Sequence, residues 1–241
     1  MIRILPLEGL PEITEGADLA ALVARSNELE DRDVVVLAQK AVSKAEGRVV
    51  RLADVEPSAF ARQLAGDDGD ARHLEVILRE SKRILRARQS FVIAETRQGF
   101  VCASAGVDAS NTPADGTLVL LPDDADASAA RIRDGIRERT GRDVGVIVSD
   151  SFGRPWRQGT IDVAIGVAGI PALLDLRGTK DARGYELRST QIAVADEIAS
   201  AAELVMGKAN GIPGAIVRGL SLKGEGTAAD IPIPEERDLF R

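Results

Sequence analysis

The chain has 241 residues, of which 44% are hydrophobic and 29% are charged, and its formal net charge is −7. This composition is that of an ordinary globular protein and not of a disordered or membrane-embedded chain, and the length suits one large domain or two modest ones. The net negative charge argues against general binding of nucleic acids, which needs clustered positive charge, whereas small anionic substrates can still bind at local basic patches.

The sequence predicts no segment that enters or crosses a membrane. No apolar run approaches the roughly 18 residues that a membrane-spanning helix needs. The first residues, 1–6, lack the apolar core of a secretory signal. We therefore expect a cytoplasmic protein.

Metal and thiol chemistry are restricted by two residues that each occur once. Cys102 is the only cysteine and His73 the only histidine. Intramolecular disulfides, thiolate zinc clusters and paired-imidazole metal sites are therefore excluded. We expect that any metal ion is Mg²⁺ or Mn²⁺, bound by carboxylate, hydroxyl and phosphate oxygens.

A strand early in the chain leads into a group of polar residues. The run from Val34 to Leu37 is apolar and mostly β-branched, and it predicts a buried strand within 33–38. Gln39, Lys40 and Lys44 follow the end of this strand. The two ammonium groups suit phosphate, although many exposed strand ends carry lysines without binding a ligand.

Two helices are predicted next, at 58–64 and 71–88. The second carries six basic residues, a pattern that is most often a solvated helix face. They are Arg72, Arg79, Lys82, Arg83, Arg86 and Arg88. Strands at 91–95 and 100–104 are then predicted to pair with each other, and a loop of small residues at 105–111 follows them.

The second half of the chain contains two further helices and two further strands. The helices are predicted at 126–140 and 190–206, and the strands at 144–148 and 213–217. Gly141 is a stop for the first of these helices, and Asp150 and Ser151 follow the first of these strands. Because helices and strands mix without strict βαβ alternation, we predict an α+β fold with mixed sheets.

Two common nucleotide-binding motifs are missing. Gly207 and Lys208 are followed by Ala209, where a P-loop has Ser or Thr, and no G-x-G-x-x-G run occurs. The sequence therefore predicts neither a P-loop nor a Rossmann fold. A nucleotide would have to bind by a less common device.

Asp108 and Asp150 are the candidate catalytic carboxylates. Each follows a predicted strand and lies beside small or hydroxylated residues, so that the pair could share metal ions. The alternative for Asp108, with Ser110 and Asn111, is an Asx turn. The alternative for Asp150 and Ser151 is a helix cap or a turn.

The segment after Asp150 favours the functional interpretation. Arg154, Trp156 and Arg157 lie close to a carboxylate and a hydroxyl in sequence, and arginine forks suit recognition of phosphates and carboxylates. The glycine-rich segment 206–214 either lets a ligand approach the backbone or forms a simple turn. His73 and Cys102 are assigned no role.

Several stretches distributed over essentially the whole chain form one pattern. They are residues 7–11, 42–48, 105–111, 149–151 with 153–154, 164–166, 194–199 and 217–220. In this order they resemble the coenzyme F420-0 gamma-glutamyl ligases. Some members of that family carry an additional C-terminal domain of flavin type, and we expect this chain to be the form without it.

The resemblance implies a GTP site and two metal sites. Asp108 and Asp150 would hold one divalent ion, and Ser151 would contribute to the other. Arg154 is a candidate catalytic residue, available with Lys44 and Arg157 for a phosphodiester or for glutamate. The residues implied to bind GTP are Leu10, Pro11, Glu12, Ile13, Gln39, Lys40, Lys44, Asn111, Met206, Gly207, Lys208, Ala209, Asn210, Gly211 and Ile212.

Two positions depart from the pattern of archaeal relatives. Gln39 and Lys40 replace small hydroxyl residues, and Lys208 stands where those relatives have an acidic metal ligand. A protonated lysine cannot bind Mg²⁺. Either the second metal site loses a protein ligand, or Lys208 contacts phosphate directly.

The reaction that the resemblance implies is amide formation between L-glutamate and F420-0. The γ-phosphate of GTP would activate a carboxylate as an acyl phosphate, which the glutamate amine then attacks, and GDP and phosphate would be released. One or more glutamates would be added. Two divalent ions, Mg²⁺ or Mn²⁺, would assist, and K⁺ is a candidate monovalent activator.

The residues alone leave two other functions open. One is a metal-dependent phosphohydrolase, and the other is a non-catalytic nucleotide-binding regulator. By resemblance, the fold consists of two interleaved subdomains, about 1–85 with 170–241 and about 86–169. The same resemblance implies a homodimer with the substrate cleft near the subunit interface.

Overall fold

The computed structural model describes residues 1–26 and 28–239. Its strands are β1 (Arg3–Pro6), β2 (Val34–Ala38), β3 (Val49–Arg51), β4 (Ser81–Arg88), β5 (Phe91–Thr96), β6 (Val101–Ala103), β7 (Thr117–Val119), β8 (Gly145–Arg154), β9 (Arg157–Ala168), β10 (Leu174–Asp175), β11 (Gln191–Ile192) and β12 (Gly214–Arg218). Its helices are α1 (Leu19–Ser26), α2 (Gln39–Ala45), α3 (Ala59–Ala65), α4 (Ala71–Glu80), α5 (Ala125–Thr140) and α6 (Val194–Met206). Shorter 3₁₀ helices cover Leu52–Asp54, Ser104–Gly106, Ala228–Asp230 and Glu235–Arg237. None of the helices in the described residues is long and apolar enough to cross a membrane.

A mixed five-stranded sheet forms the centre of the molecule. Its strand order is β1-β12-β2-β8-β9. Strands β2 and β8 are parallel, and the other neighbours are antiparallel. Smaller sheets pair β4-β5-β6, β3-β7 and β10-β11. The predicted α+β fold with mixed sheets is confirmed.

The central sheet is buried on both faces, which explains why β2 reads as a continuous apolar run. Val35, Leu37 and Val146 point to one face, where α1 and α5 cover them. Val36 and Ile147 point to the other face, which α6 covers. The alternation of side chains along each strand sends neighbouring valines into two separate cores.

A third core lies outside the central sheet. It joins α3 and α4 to strands β5 and β7 and to the loop that precedes Asp108. Leu74, Ile77, Val92 and Leu118 are fully buried within it. The proposed division of the chain into two interleaved subdomains stays a prediction.

The predicted helix at 71–88 is wrong in its second half. The helix ends at Glu80, and 81–88 form β4, which pairs with β5. Lys82 and Arg83 bind the buried carboxylate of Glu95 at 2.8 and 2.6 Å. Their charges therefore neutralise a partner on the neighbouring strand rather than covering a solvated helix face.

Two other predicted elements have different bounds. The strand predicted at 144–148 continues to Arg154, because its partner β9 extends the antiparallel ladder. Asp150 and Ser151 therefore lie within a strand and not after it. The helix predicted from 190 begins at Val194, since 191–192 pair with β10.

Helix α5 begins one residue before its predicted start at 126 and ends at the predicted stop, Gly141. The Asp124 carboxylate accepts a hydrogen bond from the Ala127 amide at 2.9 Å at its start, and Gly141 ends it in a left-handed conformation with φ 70°. The start of α5 packs closely on β9 at Gly166. A methyl group on Gly166 would lie 2.2 Å from the Ala125 carbonyl oxygen.

We predict that Gly166→Ala destabilises the protein by about 1–3 kcal/mol, because α5 must move away from the sheet to accept the methyl group. Thermal unfolding measures this loss. Gly153→Ala is the matched control, since a methyl group there meets no atom within 4 Å. Equal melting temperatures for the two variants would contradict the close packing of α5 on β9.

Candidate functional site

A cavity of about 330 Å³ opens at the end of β2. The last residue of β2, Ala38, pairs with Ser149 of the parallel strand β8. Ligands in open α/β sheets bind beyond the carboxyl ends of parallel strands. This position of the sheet therefore suits a ligand site even though the fold is not a Rossmann fold.

Residues from widely separated parts of the chain line the cavity. They are Leu10, Pro11, Glu12, Ile13, Ala38, Gln39, Lys40, Ala41, Lys44, Asn111, Ser149, Asp150, Ser151, Asp162, Glu203, Met206, Gly207, Lys208, Ala209, Gly211, Ile212 and Pro213. With the exception of Asn210, every residue that the sequence predicted to bind GTP is among them.

Strand β12 brings two of these segments together. The Ala38 amide donates to the Pro213 carbonyl at 2.8 Å, and the Leu7 amide donates to the Gly214 carbonyl at 2.9 Å. The segment before β12 and the segment after β1 are thereby held beside the start of α2. The cavity is a consequence of the order β1-β12-β2 in the sheet.

Asn111 connects the loop 105–111 to the opposite wall. Its φ of 54° is left-handed, a conformation that asparagine tolerates better than most residues. Its Nδ2 donates to the Lys208 carbonyl oxygen at 3.2 Å. This contact fixes the backbone of the glycine-rich segment next to the cavity.

Gln39 supplies a buried acceptor atom to the wall of the cavity. Its Nε2 donates to Ser43 Oγ and to the Leu120 carbonyl oxygen, both at 2.7 Å. Because a carbonyl oxygen can only accept, the orientation of the Gln39 amide is fixed. Its buried Oε1 has no hydrogen-bond partner among residues 1–26 and 28–239. A ligand that donates a hydrogen bond would satisfy it.

Asp108 is held beside the cavity by an ion pair. Its backbone exchanges two hydrogen bonds with Val119, each 2.9 Å long, so that it is part of a bridge and not of an isolated turn. Its Oδ2 lies 2.7 Å from Lys40 Nζ. In this structure the ammonium group of Lys40 therefore balances the charge of the Asp108 carboxylate.

Asp150 is a buried carboxyl in the wall of the cavity. Burial and the neighbouring Asp108 carboxylate raise the pKa of Asp150 to about 7, and Lys40 acts in the opposite direction. A buried group with a strongly raised pKa in a cleft is typical of a functional site. A cation that binds here would relieve the repulsion between the two carboxylates.

Lys44 lies at the rim of the cavity. Its Nζ donates to Glu12 Oε1 at 2.6 Å, and both residues line the opening. The Lys44 side chain is 12% exposed, whereas that of Glu12 is 71% exposed. The glutamate can therefore turn into solvent and leave the ammonium group to an anion.

The donor atoms fit a hard cation. Asp108, Asp150 and Ser151 offer carboxylate and hydroxyl oxygens, which Mg²⁺ and Mn²⁺ prefer. Within the described residues, no three His, Cys, Asp or Glu side chains converge to hold an ion by themselves. Mg²⁺ in nucleotide sites commonly has one or two carboxylates and completes its shell with phosphate oxygens and water.

Three of the predicted site residues do not line the cavity. Asp108 lies behind Lys40, which lines the cavity and forms an ion pair with it. Asn210 lies in the same turn as Gly207, whose φ is 57°. Arg154 lies at the end of the β8–β9 hairpin, where its Nη2 donates to the Gln158 carbonyl at 3.2 Å. The catalytic role of Arg154 stays a prediction.

Three polar cavity residues were missed by the sequence analysis. Ser149, Asp162 and Glu203 line the cavity, and Asp162 is 4% exposed. The available signal was the charge of Asp162 inside the apolar stretch of β9. A charged residue at a position that should be buried indicates a partner or a function.

Cys102 and His73, the only cysteine and the only histidine of the chain, are not among the residues that line the cavity. Cys102 is buried, and burial together with the Asp150 carboxylate raises its pKa to about 12. Its thiol is therefore protonated at neutral pH, whereas a cysteine nucleophile acts as the deprotonated thiolate. Burial lowers the pKa of His73, which lies in α4 beside the third core.

Known proteins resemble the chain over its full length. The family described as F420-0:Gamma-glutamyl ligase matches residues 9–219. The chain is 48% identical over 247 residues to a "Coenzyme F420:L-glutamate ligase" of Methanopyrus kandleri, with 100% of this chain and 98% of the relative covered. It is 42% identical over 250 residues to a protein of the same name from Methanothermobacter thermautotrophicus, and 43% identical over 242 residues to one from Archaeoglobus fulgidus. These alignments cover 100% of this chain and 99% and 96% of those relatives.

Proposed function

The chain belongs to the F420-0:gamma-glutamyl ligase family, and we propose that it uses GTP to join L-glutamate to F420-0 through an amide bond. The observation that carries this proposal is the convergence of the GTP-binding candidates on one cavity with a buried carboxyl, Asp150. Three lysines, Lys40, Lys44 and Lys208, line the same cavity. These ammonium groups can contact a phosphate chain, and the acidic residues of the same lining can hold a cation that neutralises it further.

The proposed reaction has two steps. A carboxylate oxygen of F420-0 attacks the γ-phosphorus of GTP, the bond to the β-phosphate oxygen breaks, and GDP leaves. The amine of L-glutamate then attacks the acyl carbon, loses a proton and displaces phosphate. Phosphoryl transfer of this kind depends on positioning and charge neutralisation and needs no covalent nucleophile from the protein.

The residues of the chain have separate tasks in this proposal. Lys44 and Lys208 neutralise phosphate oxygens, and the free Gln39 Oε1 accepts a hydrogen bond from an N–H group of a substrate. Asp108 and Asp150 would hold one divalent ion and Ser151 would contribute to a second, and the ions when bound would supply charge neutralisation at the phosphates. A cation on Asp108 would release Lys40 from its ion pair and leave this ammonium group free for the nucleotide.

A direct test incubates the purified protein with F420-0, L-glutamate, GTP and either Mn²⁺ or Mg²⁺. Mass spectrometry of the cofactor is expected to show a glutamyl adduct, and GDP should form in the same molar amount. Release of phosphate without an adduct would indicate a metal-dependent phosphohydrolase. Binding of GTP without any turnover would indicate a regulator.

We predict that Lys44→Ala raises the KM for GTP by about 10–100-fold, because one charge-assisted contact to phosphate contributes about 1.5–3 kcal/mol. Stability should change little, since the ion pair with Glu12 lies at the surface. Steady-state kinetics and thermal unfolding separate the two effects. Lys223→Ala, an exposed lysine outside the cavity, is the control. An unchanged KM would remove Lys44 from the GTP site.

A further inference from the structure

Asp162 is a buried carboxylate whose partners in the structure are serine hydroxyl groups. Ser151 Oγ donates to its Oδ1 at 2.7 Å, and Ser149 Oγ donates to its Oδ2 at 3.0 Å. No lysine or arginine of the described residues forms an ion pair with it. A buried carboxylate without a cationic partner is costly, so a residue of this kind requires a reason to be retained.

The fold fixes Asp162 from two directions. In the antiparallel pair of β8 and β9 it stands directly opposite Ser151. On its other side, Ser200 of α6 donates its hydroxyl hydrogen to the Asp162 carbonyl oxygen at 2.7 Å. The carboxylate is therefore held in place relative to both strands of the hairpin and to the helix that ends at the cavity.

The consequence concerns the direction of the Ser151 hydroxyl. A serine hydroxyl has one hydrogen and two acceptor lone pairs. Because the hydrogen is directed to Asp162, the lone pairs of Ser151 Oγ are turned away from this carboxylate and remain available on the cavity side. A metal ion binds an oxygen only through a lone pair.

We infer that Asp162 is a positioning residue, which orients the Ser151 hydroxyl as a ligand for a divalent cation. The inference rests on the proposed function, because the cation at Ser151 belongs to that proposal. Carboxylates that hold metal ligands in this indirect way commonly alter metal affinity by 10–100-fold when they are removed. Ser149 lies in a stretch that carries the resemblance, but the resemblance implies a role in binding GTP or metal for neither Asp162 nor Ser149.

Asp162→Asn is the first test, because asparagine has the same shape but offers an amide group in place of one carboxylate oxygen. The amide can donate to a serine oxygen, which would occupy a lone pair and free the hydroxyl hydrogen. We expect the dissociation constant of Mn²⁺ to rise by about 10–100-fold. Electron paramagnetic resonance of free Mn²⁺ measures this constant without turnover, first for the protein alone and then with GDP present against a blank of GDP and Mn²⁺, because phosphate oxygens complete the shell of the ion. A parental constant in a folded Asp162→Asn protein would overturn the inference.

A double-mutant cycle distinguishes positioning from direct binding. If Asp162 acts through Ser151, Asp162→Asn should weaken Mn²⁺ binding little further in a Ser151→Ala background. Full additivity would show that Asp162 itself contacts the ion and would overturn a positioning role. Asp68→Asn with Asp162→Asn is the matched comparison, because Asp68 is exposed and lies outside the cavity, and here we expect the two effects to add.

The same measurements separate this inference from the proposed function. A parent protein that binds Mn²⁺ and shows the expected cycle, but forms no glutamyl adduct, would refute the ligase activity alone. A parent protein that binds no Mn²⁺ would overturn the role of Asp162. In the ligase assay, a higher Mn²⁺ concentration should restore the rate of Asp162→Asn if positioning is the defect.

Discussion

Asp150→Asn is expected to lower the rate of glutamate ligation by at least about 10²–10³-fold, the size of effect seen when a preorganised electrostatic group is removed from an active site. Asparagine has the same shape but lacks the charge that a divalent cation requires. The backbone of Asp150 is paired with Val163 in the β8–β9 ladder, so the fold does not depend on its carboxylate. Single-turnover assays with saturating GTP measure the loss.

The same substitution should stabilise the metal-free protein above pH 7. Burial and Asp108 raise the pKa of Asp150 from its ordinary value of 3.8 to about 7. Between pH 3.8 and about 7 the folded state keeps a proton that the unfolded state has lost, so the free energy of unfolding falls as the pH rises. This loss of stability is complete above pH 7. Asparagine removes this deficit. If only about 1 kcal/mol of it is recovered, the Tm at pH 8 rises by about 2–4 °C.

The comparison of pH values provides an internal control. Below pH 3.8 the carboxyl is protonated in both states, so the parent and Asp150→Asn should unfold at similar temperatures in EDTA. Asp68→Asn, at an exposed position outside the cavity, should leave both the rate and the pH profile unchanged. A parental rate in Asp150→Asn would show that Asp150 serves only the local structure of β8.

The local patterns of the sequence predict most of the elements that carry the site. The run Val34–Leu37 predicts β2 because both faces of the central sheet are buried, and α5 begins within one residue of its predicted start and stops at Gly141. The sequence also predicts that Asp108 and Asp150 lie near each other, as the effect of Asp108 on the pKa of Asp150 requires. The homodimer and the metal ions stay predictions.

The failures have a common physical cause, which is pairing between distant residues. The helical pattern of 71–88 breaks at Glu80 because Glu95, on the neighbouring strand, binds Lys82 and Arg83. Local patterns do not register a partner across a sheet. The role of Asp162 was not predicted for the same reason, since the two serines that donate hydrogen bonds to its carboxylate lie on the other strand of the hairpin.

The site also depends on strand order, which local sequence patterns do not determine. The segments that end at Ile13 and at Pro213 meet at the cavity because β12 lies between β1 and β2. In the sequence, only the whole-chain resemblance implies that both segments belong to one GTP site. Asn111 is a similar case, because its contact with the Lys208 carbonyl joins residues that are 97 positions apart.

Lys208→Glu is expected to lower kcat/KM for GTP by about 10–100-fold at low Mn²⁺, because it replaces an attraction to phosphate with a repulsion in a partly enclosed cavity. The side chain lines the cavity, and its charge is close enough to Glu203 to oppose the rise in the pKa of that residue. Asn111 holds the backbone of Lys208 in place. A glutamate at this position would add a carboxylate near Glu203, in the cavity that Asp162 also lines.

The response to metal should then distinguish Lys208→Glu from Lys208→Ala. A carboxylate creates a place for a cation, so rising Mn²⁺ should restore part of the activity of Lys208→Glu. Lys208→Ala offers no oxygen and should recover nothing at the same concentrations. Lys223→Glu, at an exposed lysine outside the cavity, controls for the change in net charge. If both Lys208 variants follow the parent at every Mn²⁺ concentration, the ammonium group points to solvent and Lys208 does not contact GTP.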